Sequence, residues 1–434
     1  MTNDIFRDDW LATGKDFFSL KSICQQLTHM CRTEVISKRN IAFLSVKGTL
    51  EKIGVIDLSS EDIKELLVDA PNAKCLQDLR ILYPHLKVSE TGEVYEEIAA
   101  ETDDSISVDF LENNSFKRDP STGLLYLPIT TVKKEDTREF EEAYGKDKLS
   151  AYDLLLYVNK KLYFTNREIF VNSCKQTFQL SGKYLNENPL FRNLMFANAM
   201  PDGDYTIIFL EDGKYRKLLA IRGEDFRAET CMDLYRETNN IINDSFPIVG
   251  KIDLVNYEFN HKTRNIFLAC TGLCKKMGES IPAGLTPGLL IRSSGTGFSP
   301  FEIHGIWFYN QTWFYQGSSI RKFHYKNFKL EPLSQEVGKI FTEQQEFARK
   351  LPEHFDADDS FWDNFETSLK KSSNAEILGK RRIDKFIKIF REKTFSGTEG
   401  LLTIIKKAIE FADTPTSKES WRESVADALI NALK

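Results

Sequence analysis

Hydrophobic and polar positions change period several times along the chain, and each change predicts a different element. Leu20, Ile23, Cys24 and Leu27 recur in steps of three and four, which predicts a helix over 19–30. The run IAFLSV at 41–46 is short and apolar, as a buried strand requires. Ser59 with Asp62 resembles a helix-opening cap, and Pro71 ends the short helix expected over 61–69. Residues 90–119 are acidic and lack an apolar period, which reads as a linker or solvated insertion.

The pattern becomes denser from Ala151. Short strands at 154–158 and 162–164 flank an Asn159-Lys160-Lys161 turn. Thr165 then caps a helix over 166–180, whose apolar positions are Ile169, Phe170, Cys174 and Phe178. Pro189 suits the first turn of a helix within 185–199. Two strands, 205–210 and 215–222, enclose Asp212-Gly213, the dipeptide of a tight hairpin. A helix over 231–242 and a strand over 251–260 follow. Strands at 301–309 and 311–316 flank a turn at Asn310, and beyond Leu333 the period is helical, interrupted at Pro352, 397–400 and Pro415.

This order predicts an α+β fold. A separate α/β domain covers 1–100, an acidic linker or insertion 101–147, a central domain of mixed or antiparallel sheet with helices 148–333, and a helical region 334–434. With 434 residues the chain exceeds what one core usually serves. Its 41% hydrophobic and 28% charged residues exclude wholesale disorder. A net charge of -6 argues against coating nucleic acid by overall charge, yet leaves room for a local basic groove. The seven cysteines are odd in number and irregularly spaced, as expected of reduced thiols rather than a disulfide framework. The start, MTNDIFRDDWLATGK, has no apolar core of a secretory signal, and no run of 18 apolar residues predicts a membrane span.

Candidate chemistry concentrates between Gly288 and Lys329. There Trp307, Trp313 and Tyr315 alternate with strand neighbours, close in sequence to Arg292, Arg321, Lys322, His324 and Lys326. Cations that neutralise phosphates beside rings that stack on bases make a single-strand groove. The competing reading buries both faces of the strand pair. Ser293, Ser294, Gly295, Thr296 and Gly297 offer backbone N–H groups and hydroxyls to a phosphate, but without the Lys and helix of a P-loop an ordinary turn is the simpler expectation. A second basic segment, GKRRIDKFIKIFREK, sets Arg381, Arg382 and Lys385 around the apolar stripe Ile383, Phe386, Ile387 and Phe390. It fits backbone binding, or a docked helix with solvated charges.

Other patterns point to structure. Asp212 and Lys214 spell the end of a metal-dependent nuclease pattern, but a hairpin turn demands the same Asp-Gly. Arg80 with His85 and Arg349 with His354 share a spacing used by some ribonucleases, with Pro84 and Pro352 spoiling the continuous helix. Cys270 and Cys274 are a single pair where zinc wants two. Neither a metal nor a cofactor is expected.

Residues from about 150 to 330 resemble the phage/plasmid-like proteins grouped as domain of unknown function 932. The resemblance lies in FTNREIFVNSCKQTFQLSGKYLNENP, in KLLAIRGEDFRAETCMDLYRE, and in GLLIRSSGTGFSPFEIHGIWFYNQTWFYQGSSIRKFHYK, where Ser293 stands at a usual Asn. It implies a mobile-element origin, a bacterial cytoplasm and association with DNA. The resulting expectation is a non-catalytic accessory protein that binds nucleic acid, DNA by preference, in replication or recombination. A regulatory factor that binds a protein partner or a second copy is the alternative, and a metal-dependent nuclease the third.

Overall fold

A computed structural model of the chain describes residues 5–7, 9–38, 41–44, 86–88, 94–96, 117–118, 125–126, 155–158, 161–165, 167–180, 196, 200–201, 203–213, 215–277, 281–322 and 334–433. The fold is α+β, with mainly antiparallel sheets. In chain order the strands are β1 (Ala12–Gly14), β2 (Cys31–Ser37), β3 (Ile41–Leu44), β4 (Leu86–Val88), β5 (Val94–Glu96), β6 (Lys117–Arg118), β7 (Leu125–Tyr126), β8 (Leu155–Val158), β9 (Lys161–Thr165), β10 (Asp204–Asp212), β11 (Tyr215–Gly223), β12 (Asp253–Phe259), β13 (Arg264–Ala269), β14 (Leu285–Ser293), β15 (Phe301–Tyr309) and β16 (Thr312–Lys322).

The chain divides into two units. The first comprises Met1–Trp10, Gln26–Thr230 and Gly295–Phe298. Its sheet runs β2-β10-β11-β9-β8-β3. The β10–β11 hairpin pairs Asp212 with Tyr215 around Gly213, whose φ of 59° is the left-handed conformation such a turn needs. The helix Arg167–Thr177 packs on β11 through the predicted Ile169, Phe170 and Cys174, all buried. Ser173 and Thr177 both donate to the Ile221 carbonyl at 2.7 Å, so the helix is tied to the strand by polar contacts as well. Lys217 is 2% exposed, its ammonium donating to the Phe6 carbonyl.

The second unit comprises Leu11–Gln25, Cys231–Ser294 and Ser299–Lys434, with a sheet in the order β1-β12-β13-β14-β15-β16. The helix Phe17–Met30 opens where the Asp16 carboxylate accepts the Ser19 backbone N–H at 2.8 Å. Within this unit the Cys24 and Cys231 sulfurs lie 3.2 Å apart, and no disulfide joins the six described cysteines. Asn310 and Gln311, at φ 43° and 65°, turn β15 into β16 where the sequence predicts a turn. The register slips between His304 and Ile306, so the pairing runs His304 with Ser319 and then Ile306 with Tyr315. Within this bulge the Glu343 carboxylate accepts the Ser318 backbone N–H at 2.5 Å and its hydroxyl at 2.6 Å.

The C-terminal helices do not form a core of their own. Leu285, Trp307, Tyr309 and Phe314 of the sheet belong to one hydrophobic cluster with Trp362, Phe365, Phe386, Ile405, Trp421 and Leu429. The boundary expected near 333 therefore separates no cores, because strand side chains supply the surface on which the helices close. Of the predicted elements, the helices over 61–69 and 185–199 fall on residues that are, apart from Phe196, outside the described ones.

Candidate functional site

The strand pair β15–β16 carries the first group of predicted site residues, and its alternation sends them to opposite faces. Trp307 pairs with Phe314, and both point to Phe347 of the helix Ser334–Lys350, at ring separations of 5.8 and 6.1 Å. Trp307 is 0% exposed and offers no surface to a base. On the other face Phe267, Leu290, Ile306 and Tyr315 form a second cluster, with Phe308 and Trp313 packed against it. Tyr315 is 8% exposed, and Trp313 is half-buried beneath the Arg422 guanidinium. The stacking platform expected from Trp307, Trp313 and Tyr315 is thus corrected to two packed faces. Apolar rings on both sides of a sheet find partners whenever both sides are covered.

Two cations of this segment, Arg292 and Arg321, are paired with carboxylates. Arg292 donates to Asn265 Oδ1 at 3.1 Å, to Tyr315 Oη at 2.9 Å and to Glu419 Oε1 at 2.8 Å. Burial penalises its charge, yet the Tyr315 oxygen and the Glu419 carboxylate hold it above the ordinary guanidinium value. Tyr315 donates to Glu419, and burial drives its own hydroxyl upward. Glu419 also lies 3.5 Å from Arg422. Arg321 is paired at 2.7 Å with Glu302, which His304 contacts at 3.2 Å. Arg292 and Arg321 thus belong to a carboxylate-compensated network, Arg292 largely withdrawn from solvent and Arg321 exposed. Lys322 is half-buried at the end of β16, while His324 and Lys326 lie outside the described residues.

The second basic segment behaves differently. The helix Lys380–Arg391 buries Ile383, Phe386, Ile387 and Phe390 in the C-terminal core, as its period predicts. Arg382 is paired with Asp413 at 2.7 Å, and Arg391 pairs with Asp363. Lys380, Arg381, Lys385 and Lys388 are exposed and make no ion pair among the described residues. Residues 381, 385 and 388 fall on one face at helical spacing.

The remaining patterns stay structural. The loop at 293–297 is withdrawn from the surface, with Ser293, Ser294 and Thr296 at 0, 1 and 3% exposure. Asp212 ends β10 in the hairpin beside a cavity of about 350 Å³ lined by Gln26, His29, Met30, Arg32, Glu211, Asp212 and Gly213. Among the described residues no three His, Cys, Asp or Glu side chains converge as a metal ion requires. No described helix is long and apolar enough to cross a membrane. No family model, no curated protein and no solved structure matches the chain.

Proposed function

We propose that the protein is a non-catalytic, nucleic-acid-binding accessory factor of phage or plasmid type, and that it grips phosphate backbones with the exposed face of the helix Lys380–Arg391. The observation that supports this reading is the contrast within that helix. Arg382 and Arg391 are committed to carboxylates, whereas Lys380, Arg381, Lys385 and Lys388 are exposed without ion partners among the described residues. The buried stripe fixes the helix, so the four charges are presented at set positions, about 6 Å of rise for each four residues. Such a row meets successive phosphates irrespective of base sequence.

The test is a salt-titrated binding measurement with single- and double-stranded oligonucleotides. Each phosphate contact contributes about 0.9 to the salt slope on duplex and about 0.7 on single strands. Replacing Arg381 and Lys385 together by Glu is expected to weaken low-salt binding at least tenfold and to reduce the slope by about two contacts. Absence of binding at low salt overturns the reading.

A second reading, docking of a protein partner, would use exposed apolar side chains such as Phe18 at 83% and Phe246 at 62%. It predicts that Phe18→Ser with Phe246→Ser abolishes a copurifying partner while the Arg381 and Lys385 changes leave it in place.

A further inference from the structure

Among the described residues β2 is the outer strand of the first unit's sheet, with β10 on its inner side. It pairs with β10 from Cys31 opposite Leu210 to Ser37 opposite Asp204, without a register slip. Lys38 continues that register, its backbone N–H donating to the Gly203 carbonyl at 3.0 Å. Hydrogen-bonded pairs alternate along an antiparallel ladder, so Ile36, Glu34 and Arg32 turn their backbone groups towards β10. Cys31, Thr33, Val35 and Ser37 turn theirs outward. The outward N–H and C=O groups of Thr33 and Val35 meet no partner among the described residues. Both residues are exposed, Val35 at 55%. Neither Pro nor Gly interrupts the strand.

The side chains say what such an edge fits. An edge that stands alone is ordinarily short, bulged, covered or charged against its own copy. β2 instead carries Arg32 and Glu34, opposite in sign and on the same face of the strand. Among the described residues Arg32 comes no closer to a carboxylate than 4.0 Å, at Glu211, which Arg216 already holds at 2.9 Å. Glu34 forms no ion pair among the described residues, so both charges are left to a partner.

We propose that β2 is a self-association edge, pairing antiparallel with β2 of a second copy about a two-fold axis at Thr33. The outward groups limit the registers, because only residues of odd number hydrogen-bond across the new boundary. An axis at Glu34 sets two carboxylates face to face, and an axis at Val35 sets Arg32 opposite Lys38. An axis at Thr33 sets Arg32 opposite Glu34 of the second copy, and symmetry repeats the pair. In that register Thr33 exchanges backbone hydrogen bonds with its counterpart, and Val35 lies opposite Cys31. A boundary of about five residues a side is small, so the dimer is weak and depends on concentration. It shares no residue with the helix Lys380–Arg391 and stands or falls independently of the proposed function.

Sedimentation velocity of the nucleic-acid-free full-length chain, from about 1 to 100 μM, tests the pairing. Wild type is expected to pass from monomer to dimer across that range. Arg32→Glu alone and Glu34→Arg alone each oppose like charges and weaken dimerisation about tenfold. Arg32→Glu with Glu34→Arg restores the wild-type constant, because the exchange keeps every pair opposite in sign. Arg381→Glu with Lys385→Glu dimerises as wild type does. A monomer at every concentration overturns the inference. So does a dimer that neither reversal weakens, or one that the double exchange fails to restore. Should a charge variant fail to fold, amide hydrogen exchange of wild type decides. Protection of the Thr33 and Val35 amides that grows with protein concentration supports the pairing, and unchanged exchange sinks it.

Discussion

The Arg422 guanidinium carbon sits 3.9 Å from the centroid of the Trp313 ring, so the indole most suited to stacking on a base is already covered by a cation of the same chain. Arg422→Ala is expected to lower stability by about 1–2 kcal/mol, the range of a partly desolvated cation–π contact. In a Trp10→Phe background it also raises the fraction of tryptophan emission quenched by acrylamide, because Trp307, Trp362 and Trp421 are fully buried and cannot contribute to the change. Trp313→Leu leaves oligonucleotide affinity unaltered. A tenfold loss in that variant would return the ring to the binding surface.

Glu419 and Arg292 illustrate how an ion pair under a helix behaves when halved. The pair links the helix Pro415–Ala432 to β14 at 2.8 Å, with Tyr315 sharing the same carboxylate oxygen. Glu419→Leu alone leaves a partly buried guanidinium without its carboxylate and is expected to cost about 1–3 kcal/mol in a denaturant titration. Arg292→Met together with Glu419→Leu restores most of that loss. If the double variant is as unstable as the single, the network does more than compensate charge.

Acid is expected to loosen the same region. Burial opposes ionisation of Glu419 and Glu302, but Arg292 at the first and His304 with Arg321 at the second hold both carboxyls below their ordinary value of 4.5. A carboxyl that is more acidic in the folded state stabilises fully above its unfolded value and progressively less as pH falls through the folded one. Thermal midpoints should therefore be level from neutrality down to about pH 5 and decline below it. The decline is shallower in Arg292→Met/Glu419→Leu, where one of the two carboxyls is gone.

Thiol reactivity should follow burial. Cys24, Cys174, Cys231 and Cys270 are at most 1% exposed, whereas Cys31 and Cys274 are partly accessible. Burial also pushes the Cys270 thiol up, and Cys274 to a lesser depth, which slows thiolate chemistry. In a Cys75→Ser background, Ellman's reagent is expected to titrate two thiols in the native protein and four more only in denaturant. Early modification of Cys24 or Cys231 would contradict their packing.

Local periodicity carried much of the fold. Ile169, Phe170, Cys174 and Phe178 lie buried on the helical face that their spacing indicates, and Asp212-Gly213 and Asn310 turn hairpins. Strands β2, β13 and β14 escaped, the first because it follows the helix Phe17–Met30 without any turn residue between them. The site was less legible for a different reason. Arg292 and Glu419 are 127 residues apart. No local pattern says that a carboxylate beyond residue 400 will neutralise a strand cation. Composition placed rings and charges together in sequence; only the coverage of both sheet faces decides whether they meet a ligand or each other.

The Glu343 carboxylate that holds Ser318 has a bearing on self-association. Among the described residues β16 is the outer strand of its sheet, and such borders ordinarily invite a neighbouring molecule to add a strand. Here the backbone donor of Ser318 is occupied from within, inside the register slip, while the opposite border, β1, is only three residues long. Neither rim offers a long uninterrupted template, so ordered polymerisation by strand addition is disfavoured at both ends of this sheet.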